Sequence, residues 1–317
     1  MLYFAQIFID CKQIFRYGNM HHIISIRDFE REDIDALLTK AQQIQSLGSY
    51  KQTLRGKLVA LLFFEPSTRT RMSFASALAR LGGEAITVDS VEGSSISKGE
   101  TLADTIKVVS SYVDAIVLRH PKEGAARLAS EFSSVPVINA GDGAGQHPSQ
   151  TLLDLFTIKE NMNLDGIDLG LLGDLRYGRT AHSLSYALSH YDVTIHTITP
   201  KSLEMPQWLS TELKERGTEV VEHEKLEDII NDLDVLYATR IQRERFPDMA
   251  SYARVANTYK ITPETLKDVR KNLILLHPLP RAGEIDPAVD ALPYAKYFRQ
   301  AANGIPVRMA MLEDVIL

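Results

Sequence analysis

The chain has 317 residues, of which 44% are hydrophobic and 24% charged, a composition typical of a soluble globular protein. The length exceeds that of one ordinary core and predicts two domains. The formal net charge of −6 argues against non-specific nucleic-acid binding, which needs a basic face. No apolar run reaches the ~18 residues of a membrane span, so no membrane insertion is expected. A single cysteine, Cys11, permits no internal disulfide and indicates a reducing, cytoplasmic compartment.

The N-terminus is apolar but does not resemble a signal peptide. It has no basic leading region and no small-residue cleavage site, and Asp10, Lys12 and Arg16 follow at once. We interpret residues 1–21 as an N-terminal extension, with Met20 as an alternative start.

Apolar runs rich in β-branched residues alternate with segments of helical periodicity through the rest of the chain. The predicted strands are residues 58–64, 84–90, 114–119, 135–140, 167–174, 192–199, 218–223, 234–239 and 272–280. Runs that are continuously apolar, rather than alternating, indicate burial on both faces and therefore parallel sheets covered by helices. The expected fold class is α/β, with two doubly wound parallel-sheet domains joined by interdomain helices.

A long helix predicted from about Gln150 separates the first four strands from the other five. This predicts one domain over residues 22–150 and a second over residues 151–303. The last segment is predicted to be a helix interrupted at Gly304 and Pro306, because proline removes a helical hydrogen bond. We expect its final part, about 304–317, to pack back on the first domain.

Cationic and polar residues follow most of the predicted strands, where ligands bind in open α/β sheets. They are Ser67 to Arg71, Arg119 with His120, His147 with Gln150, Arg176 with Arg179, Arg240 with Gln242, and His277 with Arg281. Single arginines at strand ends are usually surface residues, but a set that shares one sheet edge is hard to explain in that way. Arginine matches carboxylate and phosphate oxygens, and the N-terminus of a new helix attracts anions. The pattern predicts a site for a small phosphorylated ligand.

Other classes of site are disfavoured by the motifs. The stretch "GLLGDLRYG" lacks the G-x-G-x-x-G spacing, and Asp174 would repel a pyrophosphate, which argues against an NAD enzyme. The chain contains no H-E-x-x-H, cysteine cluster, G-x-S-x-G or Walker A sequence, so we expect neither a metal nor another cofactor. Direct transfer between two aligned substrates is the expected chemistry. A non-catalytic sensor of phosphorylated metabolites is the alternative from another class.

Several long motifs resemble the aspartate/ornithine transcarbamoylase family, in the family's order and spacing from about His22 to the C-terminus. These motifs are "STRTR" (67–71), "KGETLADT" (98–105), "RHP" (119–121), "GDGAGQHPSQTLLDLFT" (141–157) and "HPLPR" (277–281). The similarity is greatest to the aspartate-specific members. It implies transfer of the carbamoyl group of carbamoyl phosphate to L-aspartate, an early step of de novo pyrimidine (UMP) biosynthesis.

The resemblance also implies roles for individual residues. Those on the phosphate of carbamoyl phosphate are Ser67, Thr68, Arg69, Thr70 and Arg119. Those at the carbamoyl oxygen are Thr70, Arg119 and His147, and those at the amino group are Gln150 and the backbone of Leu279 and Pro280. Those on the carboxylates of aspartate are Lys98, Arg179, Arg240 and Gln242. The implied catalytic set is Arg69, Thr70, Lys98, Arg119 and His147.

The resemblance further implies a homotrimer with shared active sites. Lys98 and Ser94, or alternatively Ser95, would reach a neighbouring subunit from a mobile loop. Whether a separate zinc-containing regulatory chain also binds is left open. An ornithine or other amino-acid transcarbamoylase is the alternative, but ornithine enzymes carry "HCLP" and "SMG", whereas this chain has "HPLP" and no "SMG". Arg240 would also repel the ammonium group of ornithine.

Overall fold

The computed structural model describes residues 22–47, 50–88, 99–241 and 259–317. These residues form two compact units. The first contains the described residues up to Asp28, with Asp35–Ser149 and Ile305–Leu317, and the second contains Phe29–Ile34 and Gln150–Gly304. No helix in the described ranges is long and apolar enough to cross a membrane.

The first unit is built on a four-stranded parallel sheet in the order β2-β1-β3-β4. Its strands are β1 Leu58–Phe63, β2 Glu84–Val88, β3 Ala115–His120 and β4 Val137–Asp142. Helices that begin in this part of the chain are α1 Arg31–Ser46, α2 Thr68–Arg80, α3 Leu102–Ser110 and α4 Ala125–Phe132. The strands β1, β3 and β4 are almost wholly buried, as their continuous apolar runs predict, whereas the edge strand β2 is largely exposed.

The second unit is built on a five-stranded parallel sheet in the order β7-β6-β5-β8-β9. Its strands are β5 Ile167–Leu172, β6 Val193–Ile198, β7 Glu219–His223, β8 Val235–Ala238 and β9 Ile274–Leu276. The helices from here to the C-terminus are α5 Pro148–Asn161, α6 Arg179–Leu188, α7 Gln207–Glu215 and α8 Tyr297–Ile316. Two parallel sheets with interspersed helices confirm the predicted fold class.

Each sheet has a point at which the strand order reverses. In the first sheet the chain leaves β1 for β2 on one side and returns to β3 on the other, and Phe63 is the register partner of Arg119. In the second sheet the reversal lies between β5 and β8, where Leu172 is paired with Ala238. The loops that follow two such strands diverge and leave a crevice, which is where open α/β sheets bind ligands. The predicted cationic residues therefore follow the strands on both sides of each crevice.

The C-terminal helix corrects one prediction. Gly304 and Pro306 do not interrupt it, and α8 is continuous over 20 residues. A proline inside a helix costs about 3 kcal/mol. Residues on both sides of it are buried, among them Tyr297 before Pro306 and Met311 after it. Burying one such side chain contributes about 1.5–3 kcal/mol, so a few of them together outweigh the cost of the proline.

Candidate functional site

The N-terminus of α2 lies directly after β1 and carries the hydroxyl groups of the "STRTR" motif. Ser67 occupies the N-cap position, but its side chain makes no capping hydrogen bond. Thr70 is buried, whereas Thr68 and Arg69 are exposed. The first N–H groups of a helix have no partner within the helix and carry a partial positive charge. This turn therefore combines backbone donors, hydroxyls and a guanidinium suited to an anion.

Arg119 is the last residue but one of the neighbouring strand β3, and its guanidinium is held by two groups of the same unit. Nη1 donates to the carbonyl oxygen of Ala140 at 3.0 Å, and Nη2 lies 2.9 Å from the carboxylate of Glu65. Glu65 belongs to the loop that joins β1 to α2, so a cation and an anion face each other beside the "STRTR" turn. Only 9% of Arg119 is exposed. The fork that binds this carboxylate also suits phosphate oxygens.

His147 lies at the end of the loop that follows β4. Asp142 holds this loop in place, since its carboxylate accepts hydrogen bonds from the backbone of Gln146 at 2.8 Å and of Gly124 at 2.9 Å. The imidazole of His147 is buried, and its Nδ1 lies 3.4 Å from the hydroxyl of Ser149. Its position is therefore set by a rigid loop and by the start of α5.

In the second unit, Arg179 and Arg240 follow the two strands that flank the reversal of strand order. Arg179 is the first residue of α6 and is half-buried, whereas Arg240 is exposed two residues after the end of β8. Thr239, beside Arg240, donates its backbone N–H to the carbonyl of Leu172 at 2.8 Å and its hydroxyl to the same oxygen at 3.0 Å. These bonds tie the end of β8 to the end of β5.

Gly173 allows this close approach. Its φ of +115° is a conformation that other residues rarely adopt, and an added Cβ would clash with the carbonyl oxygen of Thr239. We expect Gly173→Ala to lower the free energy of unfolding by about 1–3 kcal/mol and to displace the neighbouring Arg240.

Gly166→Ala is the matched control, because Gly166 also has a positive φ of +78° but its added Cβ would meet nothing within 4 Å. Denaturant unfolding of both variants measures the backbone strain, and the KM for the amino-acid substrate that the resemblance implies reports on Arg240. Equal effects of the two substitutions on both quantities would contradict a special role for the space around Gly173.

The turn after β9 carries Leu279 and Pro280, which are joined by a cis peptide bond. Buried His277 organises this turn. Its Nδ1 accepts the backbone N–H of Leu279 at 2.8 Å, and its Nε2 lies 2.7 Å from the carboxylate of Glu284. Since Nδ1 is the acceptor, the ring proton is on Nε2 and is donated to Glu284.

This pair predicts a pH-dependent contribution to stability. Burial raises the pKa of Glu284, but hydrogen bonds from His277 and from backbone N–H groups outweigh burial and leave the pKa below its ordinary value. A carboxyl with a lowered pKa stabilises the fold above its ordinary pKa of about 4.3, and this contribution is lost as the pH falls through the lowered value.

We therefore expect Glu284→Gln to reduce the free energy of unfolding on the order of 1 kcal/mol at neutral pH, with the difference shrinking in acid. Urea unfolding at several pH values measures it. Glu264→Gln is the control, because the Glu264 side chain is 83% exposed. A deficit in Glu284→Gln that is independent of pH would contradict the assignment.

The remaining predicted residues divide into two groups. Ser94, Lys98 and Gln242, with the alternative Ser95, lie outside the described residues. Gln150 is half-buried in the first turn of α5, and its Nε2 donates to Asp154 at 2.8 Å. Within the described ranges, no group of three or more His, Cys, Asp or Glu residues is arranged to hold a metal ion.

Other arginines at strand ends have local partners. Arg281 pairs with Asp290 and lies over the ring of Tyr297, and Arg176 donates to the carbonyl of Ser202 at 3.4 Å. Sequence reasoning also missed Glu65 and Asp154. Glu65 lies two residues before the "STRTR" motif, and Asp154 lies inside the motif of residues 141–157, where its signal was a carboxylate in an otherwise apolar stretch of helix.

Both halves of the chain match domains of one known protein family. Residues 21–160 match the carbamoyl-phosphate-binding domain of aspartate/ornithine carbamoyltransferases, and residues 165–315 match their aspartate/ornithine-binding domain. The chain therefore belongs to the aspartate/ornithine carbamoyltransferase family, as its motifs predicted.

Individual relatives lie within the aspartate branch of that family. The aspartate carbamoyltransferase catalytic subunit of Methanoculleus marisnigri is 71% identical over 298 residues, covering 94% of this chain and 100% of the relative. The solved catalytic subunit of M. jannaschii aspartate transcarbamoylase is 52% identical with a TM-score of 0.89, covering 93% of this chain and 97% of the other. The Trypanosoma cruzi enzyme in complex with carbamoyl phosphate and aspartate is 40% identical with a TM-score of 0.87, covering 93% and 97%.

Proposed function

We propose that the protein is an aspartate carbamoyltransferase, which converts carbamoyl phosphate and L-aspartate into N-carbamoyl-L-aspartate and phosphate. The observation that carries the proposal is the strand reversal between β1 and β3, where the free N-terminus of α2 and the buried Arg119 flank one crevice. The relatives that are named for this reaction support it. The reaction belongs to de novo pyrimidine synthesis. The proposal includes a cytoplasmic location, because a chain with a single cysteine forms no internal disulfide and suits a reducing compartment.

The first unit binds the phosphoryl group and the carbonyl oxygen of carbamoyl phosphate. Backbone N–H groups and hydroxyls of Ser67, Thr68 and Thr70 bind the phosphate, with the guanidinium groups of Arg69 and Arg119. Thr70, Arg119 and His147 donate to the carbonyl oxygen, on which negative charge grows in the transition state. Fixed donors at this oxygen stabilise the tetrahedral intermediate without reorganisation.

The second unit binds the acceptor. Arg179, Arg240 and Gln242 receive the two carboxylates of aspartate, and Gln150 and the backbone of Leu279 and Pro280 receive the carbamoyl amino group. The exposed guanidinium of Arg240 attracts the side-chain carboxylate of aspartate and repels the side-chain ammonium of ornithine. This charge preference argues against the ornithine alternative.

The chemistry needs no protein nucleophile. The neutral amine of aspartate forms a bond with the carbamoyl carbon, and the bond from that carbon to the phosphate oxygen then breaks. Phosphate leaves with the electron pair of that bond and takes the proton released by the amine. Positioning and charge stabilisation account for catalysis, with His147 as a hydrogen-bond donor to the carbonyl oxygen and the leaving phosphate as the proton acceptor.

The active unit is a homotrimer in this proposal, in which Ser94 and Lys98 complete the site of a neighbouring subunit. The edge strand β2 precedes these two residues in the chain, and its Ile86 is 47% exposed. This exposure supports a contact between subunits. Met72 of α2 and Tyr112 are also unusually exposed, at 64% and 63%. An exposed edge strand such as β2 is a surface on which another chain can pack.

A colorimetric assay for carbamoyl aspartate tests the function. We expect rapid product formation with carbamoyl phosphate and L-aspartate and none above background when L-ornithine replaces aspartate. Binding of carbamoyl phosphate without turnover would identify a sensor and refute the enzyme. Light scattering on the purified chain tests the trimer, and a monomer with full activity would refute shared sites.

A further inference from the structure

A buried carboxylate connects the groups that are proposed to hold the carbamoyl amino group. Asp154 lies on α5, none of its surface is exposed, and it receives three side-chain hydrogen bonds within the second unit. Its Oδ1 accepts Nε2 of Gln150 at 2.8 Å and Nε2 of Gln300 at 2.6 Å, and its Oδ2 accepts the hydroxyl of Tyr237 at 2.9 Å. A carboxylate at this depth is costly unless it is fully hydrogen-bonded, so these partners are strongly held.

The first connection fixes the orientation of the Gln150 amide. An amide side chain has one donor end and one acceptor end, and an ionised carboxylate only accepts. The NH₂ end of Gln150 must therefore face Asp154, and its oxygen must face away. The half-buried Gln150 thus presents an acceptor, which suits a ligand that carries an N–H group.

The second connection fixes the turn that contains Leu279. Gln300 gives its NH₂ end to Asp154, so its oxygen is left to accept the backbone N–H of His277 at 2.8 Å. The ring of His277 in turn accepts the N–H of Leu279, which adopts a φ of 55°. Because the N–H of Leu279 binds His277, it is not available to a ligand. The groups of the turn that remain for a ligand donor are carbonyl oxygens, which can only accept.

We propose that Asp154 is a positioning residue that makes the site selective for an acyl phosphate with an amino group in place of a methyl group. It touches no substrate and acts through Gln150 and through the Gln300–His277 link to Leu279. The inference rests on the proposed function and deepens it. Gln150 and the turn at Leu279 recognise the carbamoyl NH₂, and the buried carboxylate of Asp154 sets the orientation of both.

The third partner of Asp154 provides a matched control. Tyr237 is fully buried and leads to neither of the two ligand-facing groups. The pKa of Tyr237 is raised well above its ordinary value, mainly by burial and further by the adjacent charge of Asp154. Its hydroxyl therefore remains a donor. Tyr237→Phe removes one hydrogen bond to Asp154 and leaves the bonds from Gln150 and Gln300 in place.

The test compares carbamoyl phosphate with acetyl phosphate, which has CH₃ where carbamoyl phosphate has NH₂. Calorimetry without aspartate gives the ratio of the two dissociation constants. In Asp154→Ala we expect the preference for carbamoyl phosphate to fall about tenfold, while acetyl phosphate binds within about twofold of the wild-type protein. Asp154→Asn keeps an oxygen acceptor and should recover most of the preference, and Tyr237→Phe should not change it.

A purely structural role predicts a different pattern. The inference is wrong if Asp154→Ala leaves the ratio of the two dissociation constants unchanged, including the case in which both acyl phosphates bind equally more weakly. It is also wrong if Asp154→Asn lowers the preference for carbamoyl phosphate as much as Asp154→Ala does. Should Asp154→Ala not fold, Gln300→Met still breaks the link to His277 and is expected to lower the ratio about threefold. An unchanged ratio in that variant would also overturn the inference. If the wild-type protein binds both acyl phosphates but makes no carbamoyl aspartate, the proposed function alone fails.

Discussion

Replacement of Arg119 by alanine is expected to lower kcat/KM for carbamoyl phosphate by ~10³-fold or more. Removal of one donor to a developing oxyanion costs ~10²–10³ in rate, and the substitution also removes a phosphate contact. It further leaves the carboxylate of Glu65, now 2.9 Å from the guanidinium, without that cation and beside the phosphate site. The remaining negative charge would repel the ligand.

Steady-state kinetics and isothermal calorimetry measure this loss. Arg127→Ala is the control, because Arg127 also pairs with a carboxylate of the first unit, that of Asp28 at 2.9 Å, but is not among the residues proposed to bind substrate. Its kinetics should match those of the wild-type protein. A loss of less than tenfold in a folded Arg119→Ala variant would remove Arg119 from the catalytic set.

Replacement of Arg240 by alanine is expected to raise the KM for aspartate about a hundredfold and to lower kcat. Each hydrogen bond between charged groups contributes about 1.5–3 kcal/mol, and a carboxylate that binds the arginine fork engages two of them. Binding of carbamoyl phosphate should persist, because its phosphate contacts are proposed to come from Ser67 to Thr70 and Arg119. The result is therefore a selective loss of the second substrate.

Arg270→Ala is the matched control for this experiment. Arg270 is also an arginine of the second unit, and it pairs with Asp234 at 3.0 Å and with Asp168 at 3.5 Å. These carboxylates lie at the beginnings of β8 and β5, the edge opposite to Arg240. Arg270→Ala is expected to reduce stability without changing the KM for aspartate. Unchanged aspartate kinetics in Arg240→Ala would remove Arg240 from its proposed role.

The strands could be predicted from the sequence because burial on both faces of a parallel sheet leaves continuous apolar runs. The ends of a strand were less predictable where its length is limited by a shorter neighbouring strand. The last strand was expected over residues 272–280, but β9 covers only Ile274–Leu276 beside the four-residue β8. Pro278 and Pro280 have no N–H to donate, which prevents the ladder from continuing.

The positions of Arg179 and Arg240 after parallel strands could also be predicted, since both follow continuous apolar runs in the sequence. The partners of the site residues could not. Whether Glu65 faces solvent or Arg119, and whether Asp154 is isolated or bonded to Gln300, depends on contacts between residues more than 50 positions apart. The uninterrupted helix through Pro306 was missed for the same reason, because its stability comes from packing and not from local propensity.

The division of the chain into units has a consequence for its synthesis. The first unit includes Ile305–Leu317, in which Met309 and Leu312 are buried and Arg308 donates to the hydroxyl of Ser73 at 2.8 Å. During synthesis, the first unit therefore cannot complete its core until the C-terminal residues have left the ribosome. Until then its nascent sheet exposes apolar surface that a chaperone would recognise, whereas Gln150–Gly304 already forms most of the second unit.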